Sequence, residues 1–125
     1  MSNPAFLGTL LAPITILAAL DASAERGERL FGQCSSCHSA DPGENRAGPH
    51  LHSVLGRTAG SVTGFRHSRA LVESGIVWDR EAIGNDVANP RGAVRGTSMT
   101  VGLRDATEQD IDDLGRFLRS RFSDG

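Results

Sequence analysis

The chain has 125 residues and a formal net charge of −2, from 13 basic and 15 acidic side chains. That length fits one domain, and so even a charge balance gives no electrostatic reason to expect nucleic acid as a partner. Every basic residue is arginine, tyrosine is absent and aromatics make up only 5%, so the chain brings little bulky apolar mass to a core.

The run Ala5 to Leu20 is uncharged and largely apolar. Ala22-Ser23-Ala24 follows as an A-x-A cleavage pattern ahead of Glu25. Residues 1–24 therefore read as a secretory signal, although Met1-Ser2-Asn3-Pro4 lacks the usual basic residue. The rival reading is a retained membrane anchor. The apolar run falls short of the ~20 residues a span needs and contains Pro13, so cleavage is the favoured reading. On either reading residues 25–125 form an exported domain.

Glu25 to Gln33 reads as a short helix leading into Cys34-Ser35-Ser36-Cys37-His38, which contains the only two cysteines. C-x-x-C-H is the attachment pattern of a c-type haem. A short helical turn sets two thiols at the spacing of the two vinyl groups on one porphyrin edge, and the next residue then lies where an imidazole can coordinate the iron. Other uses of paired cysteines fit less well. A thioredoxin-like redox pair wants a βαβ context, a zinc site needs two more ligands, and a disulfide here would close too small a loop to restrain much chain.

Asp41 to Gly48 is loop, rich in Gly, Pro and Asn. Gly56 to Gly64 reads as an Ω-type loop at the lower edge of the haem. Ser68 to Ser74 suits a short helix stopped by Gly75. Asp79 is a natural N-cap for Arg80 to Ala88, which must end before Pro90. Arg91 to Leu103 is then an irregular loop, and it holds Met99, the only methionine besides Met1. A thioether in such a loop has little packing reason to be there, and His/Met ligation raises the potential of a haem iron, as an electron carrier needs. Met99 is thus the candidate sixth ligand to His38. His50, His52 and His67 compete for that position and read instead as surface or supporting histidines. The final helix starts at Thr107, with Asp110 completing a capping box. Glu108, Asp110, Asp112 and Asp113 crowd its first turns, and Arg116, Arg119 and Arg121 its end, matching the helix dipole. The acidic group reads as a solvated helix start, and Ile111, Leu114, Phe117, Leu118 and Phe122 give one apolar stripe. No strand pattern persists and no repeat is visible.

Taken in order, Gly27, Phe31, the haem motif, Gly48-Pro49-His50-Leu51-His52-Ser53-Val54-Leu55-Gly56-Arg57, Gly64-Phe65, Gly75-Ile76-Val77-Trp78, Asn89-Pro90 and Gly96-Thr97-Ser98-Met99 resemble a class I cytochrome c of the mitochondrial and bacterial type. The resemblance runs from about Glu25 to Phe122. It implies an all-α fold, with three main helices plus short helices and loops wrapped around one haem c bound through Cys34 and Cys37. It implies that Pro49 accepts a hydrogen bond from His38, that Arg57 and Trp78 hold the buried propionate, that Thr97 supports the propionates and the methionine strap, and that Gly27 sits where the first and last helices cross. The chain departs from the family pattern at His67, where a propionate-bonding tyrosine is usual, and at Leu71, where an asparagine often supports a water. It departs again at Asp86, where an aromatic lies beside the methionine sulfur, and in a shorter loop after Met99. The expected function is one-electron transfer by a periplasmic monomer, not an enzyme, between redox proteins that meet an exposed haem edge rimmed by Arg46, Arg91 and Arg95. Membrane contact would come only through partner complexes or an uncleaved leader. A weak Met99 bond would instead favour a haem peroxidase or gas-ligand sensor. Asp86 is expected inside the haem pocket.

Overall fold

Nothing in Asp21-Ala22-Ser23-Ala24-Glu25 stops a helix, because Ala, Leu, Glu and Arg dominate its surroundings and all favour one. In the computed structural model, which describes the backbone of residues 4–121 and the side chains of 16 and 18–120, the first helix α1 accordingly runs unbroken over Pro4–Phe31. It extends far upstream of the expected Glu25 and stops before the expected Gln33. At its end Gly32 N–H reaches both Glu28 O and Arg29 O, at 3.1 and 3.2 Å. This tightening carries the chain into the cysteine motif, where His38 N–H donates to Cys34 O at 2.9 Å.

Local capping sets the next elements. The Ser68 hydroxyl accepts from Leu71 N–H at the start of α2 (Arg69–Glu73), and Gly75 beyond its end takes φ +70°, a conformation that favours glycine. Asp79 caps α3 (Arg80–Ala88) by accepting from Ala82 N–H at 2.8 Å. The segment after it is expected to be loop throughout, but it opens with one helical turn. Asn89 caps a one-turn helix, α4 (Pro90–Ala93), whose first residue is a proline that needs no N–H partner there. At α5 (Glu108–Arg121) the capping box is reciprocal: Thr107 Oγ1 accepts from Asp110 N–H at 3.1 Å, and Asp110 Oδ2 accepts from Thr107 N–H at 2.9 Å. Phe122, expected on the apolar stripe of this helix, lies outside the described residues.

Three longer helices and two short ones make an all-α fold, with no strand among the described residues beyond a single bridge between Thr58 and Val77. Helices α1 and α5 cross at Gly27, where a Cβ would overlap the Asp113 carbonyl, and the Phe31 and Phe117 rings meet with centroids 5.4 Å apart. Ile83 and Val87 of α3, Val54, Leu103 and the α5 stripe residues Ile111, Leu114 and Leu118 complete the buried cluster. Among the described residues no helix is long and apolar enough to cross a membrane.

Asp113 corrects one expectation. It is not part of a solvated helix start but is 2% exposed, at the α1–α5 crossing. Its carboxylate accepts from Ser23 Oγ at 2.5 Å, Arg26 Nε at 3.0 Å and Gln109 Nε2 at 2.8 Å. Burial pushes its pKa up, but the three hydrogen bonds and the Arg26 charge together outweigh that and hold it below the usual carboxylate range. The signal was in the sequence: Asp113 lies four residues before Phe117, on the same helix face.

Candidate haem site

A cavity of about 400 Å³ opens between the cysteine motif, the loops after it, α3 and the Met99 loop. That volume lies within the roughly 300–1,000 Å³ typical of ligand sites. Cys34, Cys37, His38, Pro49, Arg57, His67, Trp78, Thr97 and Met99, the residues nominated from the sequence, all line it.

The motif wall is the most constrained. Both cysteines are free thiols, Cys34 partly buried and Cys37 exposed. Burial, then the neighbouring Cys37, pushes the Cys34 thiol up. His38 Nδ1–H donates to Pro49 O at 2.7 Å, since a carbonyl can only accept, which leaves Nε2 as the free lone pair. Burial lowers the His38 pKa against the raising effect of that bond, with Arg57 assisting, which favours the neutral ring that a metal ligand needs. Gly48, whose role the sequence motif does not reveal, is structural. A Cβ at this position would overlap the His38 ring, so the backbone can pass only as glycine.

Arg57 stands on a loop held by two backbone carbonyls. Its Nη1 donates to His52 O at 3.1 Å and its Nη2 to His50 O at 2.9 Å. Trp78 is fixed beside it, with Trp78 N–H donating to Arg57 O at 2.9 Å. Burial alone lowers the Arg57 pKa, and no carboxylate among the described residues compensates its charge. His50 and His52 do not line the cavity and serve through their carbonyls. His67 does line it, but its Nε2 is engaged by Val62 N–H at 3.1 Å, so only its buried Nδ1 is left without a partner. In the Met99 loop the Thr97 hydroxyl accepts from Met99 N–H at 3.2 Å and so shapes the strap that carries the thioether.

These features fit a haem. Paired free thiols and an oriented neutral imidazole share the cavity with a thioether, and a half-buried arginine lacking its counter-anion would suit a propionate. A family model described as Cytochrome c matches residues 24–122. Cytochrome c2 of Blastochloris viridis is 37% identical over 121 residues, covering 95% of this chain and 92% of that protein. The chain belongs to the cytochrome c family. This cytochrome c is also 38% identical over 91 residues to cytochrome c2 iso-2 of Magnetospirillum fulvum, covering 72% and 93% of the two chains. Among solved structures, cytochrome cH from Methylobacterium extorquens superimposes with a TM-score of 0.69 at 33% identity, covering 78% of this chain and 97% of that one. The protein is accordingly a one-electron carrier with covalent haem c and not an enzyme, and its partners are redox proteins. The peroxidase and sensor readings are not favoured.

Proposed function

We propose that this cytochrome c shuttles single electrons between exported redox proteins, with His38 and Met99 as the axial ligands of its haem. The observation that carries the reading is that Met99, the only methionine besides Met1, lines the same cavity as His38 and both cysteine thiols. The bound haem supplies the Fe(III)/Fe(II) couple. The chain's own residues then do three things. Pro49 fixes the His38 tautomer and raises its basicity. Thr97 holds the backbone of Met99. Arg57, with Trp78 and the remaining nitrogen of His67, meets propionate charge. With His38 and Met99 both on the iron, the haem would offer no open position to a substrate, and electrons would cross at an exposed edge in small transient encounters.

That edge is read from exposure. Ser36 and Cys37 are exposed on the motif side, and Thr100 and Val101 (78% exposed) follow Met99. Arg91 and Arg95 are exposed nearby in sequence and favour acidic partners. Arg46 contributes less to such a rim, because it donates to Ser35 O at 2.6 Å and pairs with Glu44 at 3.1 Å. The domain works as a monomer in the periplasm, delivered there by the leader. Burial of Ser23 against Asp113 supports a domain boundary upstream of Ala24 rather than at Glu25.

Met99→Ala tests the ligand assignment. The ferric iron–thioether band at the red end of the visible spectrum should vanish and the potential should fall. An unchanged spectrum would give the sixth position to another group.

A further inference from the structure

Helix α3 turns one acidic side chain into the cavity wall. Asp86 lies between Ile83 and Val87, both buried core residues, and all three line the cavity. Among the described residues no hydrogen bond and no neighbouring charge bears on its carboxyl; burial alone pushes its pKa up to about 6. Asp86 itself is half-buried, and a carboxylate set without a partner into an apolar wall is uncommon. The charges on the elements packed against α3 are engaged or turned outward. On α5, Glu108 and Asp112 are bound to Arg80, Asp110 caps its own helix, Asp113 is held by α1 and Gln109, and Arg116 and Arg119 are exposed. On α4, Arg91 is exposed. The cavity itself presents His38, Arg57 and His67, with Cys34 and Cys37 consumed by haem attachment.

We infer that Asp86 couples electron transfer to a proton, so that reduction of this cytochrome is accompanied by proton uptake at the Asp86 carboxylate. The inference rests on the carrier reading above. The ferric centre carries one more positive charge than the ferrous, and in a poorly solvated wall that charge stabilises a nearby carboxylate. Reduction removes the charge and with it the stabilisation. One electron arrives from a donor redox protein and one proton from solvent. Fe(III) becomes Fe(II), –COO⁻ becomes –COOH, and the net charge of the pocket is unchanged. Reoxidation returns the electron to the acceptor and the proton to water. Asp86 is therefore a residue that tunes the potential, acting on the iron through its field and not as a ligand.

The test is spectroelectrochemical titration of the holoprotein from below to above pH 6, for wild type, Asp86→Asn, Asp86→Glu and His67→Asn. The wild-type potential should shift downward as pH rises, by no more than the one-proton limit. Asp86→Asn should be flat over the same range. Asp86→Glu should keep the dependence with a displaced midpoint. A flat wild type overturns the inference. So does Asp86→Asn with the wild-type slope, or a slope lost only in His67→Asn, which would assign the proton to the histidine. The ferric thioether band recorded in the same cell separates the two readings. With the band present, a flat wild type refutes the role of Asp86 alone; its absence removes the His38/Met99 carrier and this inference together.

Discussion

His38 is positioned less by its own rotamer than by what its neighbours lack. Gly48 passes against the ring with no side chain, and its N–H donates to Cys37 O at 2.7 Å. Gly48→Ala should therefore displace the imidazole and destabilise the domain by about 1–3 kcal/mol, the usual range for overpacking. The expected readout is a weakened low-spin haem spectrum with a lowered unfolding midpoint; a wild-type spectrum would refute the contact. Asp86 gives a second prediction, on stability. Burial pushes its pKa up to about 6 in the folded protein, above the ordinary aspartate value of 3.8. A raised pKa contributes stability that is full below the unfolded value and is lost as pH rises through the folded one. Asp86→Asn should thus unfold at higher denaturant than wild type above pH 6, and the gap should close as pH falls toward 4. Parallel denaturation curves at every pH would mean that the carboxyl is solvated. The sequence shows both residues, but only Asp86 departs from the family pattern. The need for glycine at position 48 depends on a ring ten positions earlier whose path no local rule gives.

The crossing of α1 on α5 is where helix pairing meets a buried charge. Asp113 is satisfied by three donors, two of them on α1, so removing it strands Ser23 and Arg26. Asp113→Ala should cost about 2–4 kcal/mol, read as a lower urea midpoint, since breaking a buried hydrogen-bonded network carries such penalties. Because its folded pKa is depressed, this contribution is present above the unfolded carboxylate value and is lost as pH falls through the folded one. The deficit of Asp113→Ala should accordingly shrink in acid. Ser23→Ala should cost about 1 kcal/mol in a chain that keeps residue 23. It should change nothing in mature protein cut after Ala24, which makes the same variant a test of the domain boundary.

At the scale of the whole molecule, the cavity and the core share their walls. Phe31, Val54, Leu103, Leu114 and Leu118 belong to the buried cluster and also line the cavity. Without a haem, about 400 Å³ at the centre of the core would hold water against apolar side chains instead of packed atoms, and those side chains would lose the burial that stabilises the fold. The haem is thus the missing centre of a chain poor in aromatics, and folding should depend on its attachment. A Cys34→Ala, Cys37→Ala double variant made without haem should lose cooperative thermal unfolding and most helical circular dichroism. Wild type should keep its haem through acid–acetone extraction. A cooperatively folded haem-free chain would refute the shared core.

The features that the sequence alone determined are decided within a few residues. The cysteine–histidine turn, the caps at Ser68, Asp79 and Thr107, and the stop at Gly75 all depend on contacts three or four positions apart. The candidate thioether is named by composition, because one internal methionine leaves one choice. Tertiary structure decided which polar groups are dry. It took Asp113 out of an apparently solvated acidic run, spent the far nitrogen of His67 on Val62, and gathered the Arg57 loop, α3 and the Met99 strap around one cavity. The physical reason is that desolvation belongs to a place in the fold rather than to a residue. The same aspartate is a helix start facing water, a hydrogen-bonded crossing or a pocket acid, according to which distant segments close over it.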